Sequence, residues 1–168
     1  LFLLNAKPET KILLGDYDEV WERDFQEEVE TKFSLWAEGQ NNWPDAARRN
    51  TFSTMVRQAV GTYLATGEVL ATVEWVRDDP EIRPMNTSIR MIDLDRLSNP
   101  ALRNADPYII GGVEVDARHV PVACHIRKAH PEAYYFASSY EWERVPAKKP
   151  WGRPQVLHLF EQNRATGA

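Results

Sequence analysis

Cysteine is almost absent: Cys124 is the only one in 168 residues. An internal disulfide and a cysteine-based zinc site are therefore excluded, and a reducing compartment is expected. Long apolar runs are missing too. No stretch reaches the roughly 18 residues that a membrane-spanning helix needs, and Leu1-Phe2-Leu3-Leu4 is short and lacks the basic flank of a secretory signal. A soluble, unsecreted protein with no membrane partner is expected, and the sequon Asn86-Thr87-Ser88 then carries no weight. There is no cationic surplus either. With 20 Lys and Arg against 25 Asp and Glu the net charge is −5, which argues against a duplex-binding surface spread over the molecule and leaves any DNA contact local or steric. Gly111-Gly112 is no phosphate loop, because no helix follows and no Lys-Ser or Lys-Thr is attached. A nucleophile elbow and a His-Glu-x-x-His pattern are also lacking.

What is present is ordinary globular material, 43% apolar and 27% charged, in a length that suits one domain with a substantial core. Trp21, Phe25, Val29, Phe33 and Trp36 recur at helical spacing and predict an amphipathic helix from about Asp16 to Glu38, with Asp16 or Asp18 as cap and Gly39 closing it. A second helix is predicted from about Thr51 to Ala65, capped by Asn50 or Thr51. Its apolar face runs from Phe52 and Met55 to Tyr63 and Leu64, and Gly67 ends it.

After Gly67 the period changes to two. Glu68 to Val76 reads as a half-buried strand, Ile89 to Ile92 as another, and Asp93 to Leu97 as a short turn or helix. A hairpin follows. Ile109, Val113 and Val115 alternate with Ile110, Glu114 and Asp116 on the way in, and Val122, Cys124 and Ile126 share a face on the way back, leaving Glu114, His125 and Arg127 on the opposite face. The section from Lys128 to Arg153 is rich in Tyr, Trp and Pro, with an edge strand near Tyr140 to Val145. Val156 to Phe160 is apolar on both faces and reads as a central strand. Two amphipathic helices followed by a mainly antiparallel sheet give an α+β fold, a single domain over residues 1–168.

The four histidines lie apart in the pattern, His119 in a turn, His130 beside Pro131, and His125 and His158 on different strands, so none has ligand spacing. Eight acidic residues between Asp16 and Glu30 read as a solvated helix face, or more sharply as an acidic surface that repels DNA. Arg48, Arg49 and Arg57 cluster at the start of the second helix, where an anion could sit, though an ion pair is the commoner use. The aromatics from Tyr134 to Trp151 lack interleaved cations at stacking spacing and suit protein contacts better than bases. No residue is assigned as catalytic, cofactor-binding or metal-binding, no cofactor is expected, and no enzyme activity is expected.

Several blocks, taken in order, carry a resemblance. They are Trp43-Pro44-Asp45-Ala46-Ala47-Arg48-Arg49-Asn50-Thr51-Phe52, then Tyr63-Leu64-Ala65-Thr66-Gly67-Glu68, then Asp93-Leu94-Asp95-Arg96-Leu97. Gly112-Val113-Glu114-Val115-Asp116 and Val156-Leu157-His158-Leu159-Phe160 follow. This order resembles the portal proteins of lambda-type tailed bacteriophages along most of the chain. One departure is the hairpin turn Asp116-Ala117-Arg118-His119, which lacks the glycine usual there.

The resemblance implies a structural protein of the phage head, with these residues as the outer, wing-like part of a longer subunit. The chain begins without Met and ends at Gly167-Ala168, and an excised fragment without the stem and clip regions is expected. The parent protein would form a homo-oligomeric ring of about twelve copies with heterologous contacts, at one vertex of the virion. Its implied partners are terminase, capsid and head-completion proteins, with double-stranded DNA passing through without sequence-specific contacts. Assembly would take place in the cytoplasm of the bacterial host, from a free phage or a prophage. Two readings from other classes stand beside it. A nucleic-acid-binding module would require the cations to converge, and a small hydrolase would require a polar pocket around His125, His158 and nearby carboxylates.

Overall fold

The computed structural model describes residues 19–76, 83–100, 106–132 and 140–161. Two helices come first, α1 (Glu19–Glu38) and α2 (Phe52–Thr66). Seven strands follow among the described residues: β1 (Glu68–Trp75), β2 (Thr87–Ile92), β3 (Ile109–Ile110), β4 (Val113–Val115), β5 (Pro121–Arg127), β6 (Trp142–Pro146) and β7 (Val156–Phe160). The β1–β7, β3–β4, β4–β5 and β5–β6 pairings are all antiparallel. The expected α+β order is therefore present. The chain divides into two compact units, residues 1–58 with 75–89, and 59–74 with 90–168.

In the first unit the core is aromatic. Trp36, Ala37 and Trp43 are buried, with Phe33, Phe52 and Met85 packed on them, and the ring centroids of Trp36 and Phe52 lie 5.5 Å apart. Trp36 Nε1 donates to the Thr87 carbonyl at 2.8 Å, so its one polar atom is satisfied in the core. Only the C-terminal half of the predicted α1 stripe is used this way: Trp21 and Phe25 stay 41% and 37% exposed. The proposed caps Asp16 and Asp18 lie outside the described residues. Gly39 leaves the helix so close to the preceding turn that a Cβ there would sit 2.3 Å from the Leu35 carbonyl oxygen.

Among the described residues the strands form two sheets, β2-β1-β7 and β3-β4-β5-β6. Leu70 and Ile92 from the first meet Cys124, Ile126 and Val145 from the second, with Val113 and Val156 at the margin. Three expectations are corrected here. First, β1 is covered on both faces in its first half, since Val69, Leu70, Ala71 and Thr72 are all buried. Second, the strand expected from Ile109 to Val115 is broken into β3 and β4 by Gly111-Gly112, both at positive φ, a turn that reverses the chain where alternation alone read it as continuous. Third, β7 is an edge strand, and Leu157, Leu159 and Phe160 are exposed. An apolar run on both faces matched a central strand, but half of it is surface.

The hairpin β4–β5 forms as expected, with Val113 opposite Cys124 and Cys124 buried, Val122 being half-buried. His119 takes the left-handed conformation, φ 62°, that a glycine would take more easily. The Asp116 carboxylate, accepting from the backbone of Arg118 and Val120 at 2.8 and 2.9 Å, secures the turn. The edge strand β6 lies where it was expected.

Candidate functional site

The loop between the helices is organised by Asp45, which sequence reading left as a mere landmark. It is buried, and its carboxylate accepts from the backbone N–H of Ala47 (2.8 Å), Arg49 (3.2 Å) and Asn50 (3.1 Å) and from Asn50 Nδ2 (3.0 Å). Ala46 N donates to the Ile89 carbonyl and Ile89 N to the Pro44 carbonyl, tying this loop to β2. Arg48 and Arg83 both lie against the Trp43 ring, 4.3 and 5.0 Å from its centroid. The Arg48-Arg49-Arg57 cluster therefore forms no shared anion pocket: Arg48 is drawn onto Trp43 and Arg57 reaches Thr54. The anion at the start of α2 is the protein's own. Glu38 accepts from the backbone N–H and hydroxyl of Ser53 at 3.1 and 2.6 Å, while Thr51 caps the helix through Thr54 N at 3.4 Å. Burial would raise the Glu38 carboxyl, but the Ser53 bonds outweigh it and hold it below the usual range.

Glu114, His125 and Arg144 come together on neighbouring strands. Arg144 donates through Nε and Nη2 to the two Glu114 oxygens at 2.7 and 2.9 Å, and His125 Nε2 lies 2.9 Å from Oε2. This face was read as the one opposite the core, yet His125 is 3% exposed. Arg144, with help from His125 and against the effect of burial, pulls the Glu114 carboxyl down to about 2. The arrangement is an ion-paired cluster across β4, β5 and β6.

Two of the other histidines are also engaged. His158 Nε2 lies 2.9 Å from Glu68 Oε2, a satisfied histidine. His130 lies near Asp93 and Asp95, a grouping of metal-binding type that linear spacing missed. Its Nδ1 accepts from Glu132 N, so Nε2 carries the proton 3.3 Å from Asp93 Oδ2, a tautomer unsuited to ligation through Nε2. Asp93 is meanwhile occupied as the cap of the 3-10 turn Leu94–Arg96. An open hollow of about 510 Å³, lined among others by Ser98, Asn99, Arg127 and Trp142, includes neither His125 nor His158.

What remains conspicuous is surface. Trp21 and Phe25 stack at 5.3 Å on α1. Leu64 is 79% exposed near the end of α2, and Trp151 is 70% exposed in the turn between β6 and β7. Tyr140 is exposed as well, whereas Trp142 is half-buried and donates to Ser98 Oγ at 3.0 Å. Tyr134, Tyr135 and Phe136 lie outside the described residues. Among the described residues no helix is long and apolar enough to cross a membrane. Exposed large apolar side chains of this kind are the material of contact surfaces.

Comparison with known proteins bears on whose surfaces these are. The chain matches a family model described as phage portal protein, lambda family, over residues 2–167. It is 26% identical over 160 residues to the portal protein of Escherichia phage N15 and, equally, to portal protein B of Escherichia phage lambda. Each alignment covers 95% of this chain and 29% of the relative, so the chain spans under a third of the length of these relatives.

Proposed function

Because the chain belongs to the lambda family of phage portal proteins, we propose that it is the outer, wing-like part of a portal subunit and serves as a structural element of the phage head. The observation that carries this reading is the family match over nearly the whole chain. The surface agrees with it, since large aromatic and aliphatic side chains are presented to solvent while the histidines and carboxylates of reactive type are paired with each other.

The parent subunit forms a closed ring of about twelve copies in which each copy offers two different surfaces to its neighbours. The ring sits at one capsid vertex, admits and releases double-stranded DNA without reading its sequence, and docks the terminase, capsid and head-completion proteins. Its role is mechanical and organisational, and ATP hydrolysis belongs to the motor. Assembly takes place in the cytoplasm of the bacterial host. Static light scattering and electron microscopy of the full-length protein test this: a closed ring is expected, and a strictly monomeric full-length protein would overturn it.

A further inference from the structure

Residues 20–30 of α1 hold five carboxylates, Glu22, Asp24, Glu27, Glu28 and Glu30, against one cation, Arg23. Helical spacing places Glu28 seven residues after Trp21 and three after Phe25, on one side of the stacked aromatic pair and in a row with Asp24, while Glu22 falls on the other side. The aromatic pair is thus bordered by negative charge on both flanks. The Arg23–Asp24 and Lys32–Glu28 pairs are more than half exposed on every member. Such pairs contribute little and exchange readily for a better partner.

The turn between β6 and β7 has the opposite character. From Val145 to Phe160 there is no Asp or Glu, while Lys148 and Lys149 precede the exposed Trp151 in the turn. Lys148 and Lys149 have no ion-pair partner among the described residues. The turn is held in shape by Gly152 N donating to the Lys149 carbonyl, Lys149 N to the Arg153 carbonyl and Gln155 N to the Ala147 carbonyl, each at 2.8 Å. A side chain displayed on such a fixed turn loses little freedom on docking. Trp and Tyr with charged rims are the usual anchors of protein contacts.

We propose that the acidic, aromatic N-terminal half of α1 on one copy and the basic Trp151 turn on the next copy are the two halves of a head-to-tail subunit contact. The inference rests on the portal reading and names its lateral interface. Charge selects the occupant: α1 against α1 would oppose carboxylates, turn against turn would oppose lysines, and only the unlike pairing is attractive on both counts. Two unlike surfaces are also what a rotationally closed ring requires.

Mixing two variants of the full-length subunit that each carry one introduced cysteine, Glu28→Cys and Lys148→Cys, and oxidising the assembled material tests this directly. Cys124 adds little background, being buried with its thiol pushed up to about 11 by burial. A disulfide joining the two different variants is expected, and neither variant alone should give it. Rings that form without that cross-link, or a double variant that closes only within its own chain, would overturn the contact while leaving the portal reading in place. Absence of rings in the unaltered full-length protein would instead overturn the reading itself. As a second readout, Asp24→Lys with Glu28→Lys should lower ring yield at least tenfold, and adding Lys148→Glu with Lys149→Glu should restore it. Without that restoration, or with lysine reversals that abolish DNA binding but leave rings intact, the contact is refuted.

Discussion

Glu114 on β4 and Arg144 on β6 form a two-point ion pair that spans the intervening strand β5, at 2.7 and 2.9 Å. The Glu114 carboxyl, lowered to about 2 by Arg144 against an ordinary value near 4.5, stabilises the fold fully above the unfolded value. That contribution is lost as pH falls toward 2. Allowing for solvent around Arg144, it amounts to roughly 1 to 2 kcal/mol. Glu114→Gln should therefore lower the free energy of urea unfolding by about that much at pH 7, and the difference should narrow at pH 3. Equal stability of the two proteins at pH 7 would show the pair to be inert.

Gly111 and Gly112 form the β3–β4 turn but should respond differently to alanine. At Gly111, φ is 56° and an added Cβ meets nothing within 4 Å, so Gly111→Ala should cost only about 1 kcal/mol. At Gly112, φ is 84° and the Cβ would lie 2.5 Å from Ser98 N and 3.0 Å from the Leu97 carbonyl carbon. Backbone must move there, and Gly112→Ala should cost roughly 2 to 4 kcal/mol. Thermal unfolding of both variants, with Gly111→Ala as the control, measures the gap. Similar midpoints would contradict the close approach.

Asp45 should prove indispensable to the interhelical loop. Its four accepted hydrogen bonds at 2.8 to 3.2 Å satisfy three backbone donors and one amide. Asp45→Ala would strand them and should cost on the order of 3 kcal/mol. Asp45→Asn keeps one acceptor oxygen and should cost less than Asp45→Ala. Chemical denaturation ranks the three proteins, and an alanine variant as stable as the native one would refute the role.

The helices were legible because Trp36 and Met55 obey helical spacing and Gly67, at φ 82°, ends α2 where a glycine should. The register of β4 with β5 was legible because Val113 and Cys124 alternate in phase. Other features depended on partners distant in sequence. Whether Leu157 and Leu159 face a core or solvent is set by which strand lies beside β7, and alternation carries no information about that. His125 and Glu114 looked like an outer face until Arg144, 30 residues beyond Glu114, folded across them. Likewise Asp45 became a scaffold only once the chain curled around its carboxylate. The surfaces were legible in composition alone, as acids on α1 and aromatics near Trp151, since exposure is a property of the folded chain.

The last prediction concerns how far these residues assemble alone. A ring contact must overcome the loss of translational and rotational freedom, which costs roughly 4 to 15 kcal/mol. The two surfaces proposed for that contact are one face of a helix and one tight turn, with Trp151 left in solvent. Contacts of that size fall in the weak, transient class. The relatives carry more than two thirds of their length outside the matched region, and the portal reading proposed above assigns further ring contacts to that length. Light scattering of the 168-residue chain should accordingly give a monomer or weak dimer, and the full-length protein a ring. Mutating Trp151 to Ala should leave the isolated chain folded, by circular dichroism, while reducing what dimer there is. A stable ring from these residues alone would mean that the lateral contacts here suffice without the rest of the subunit.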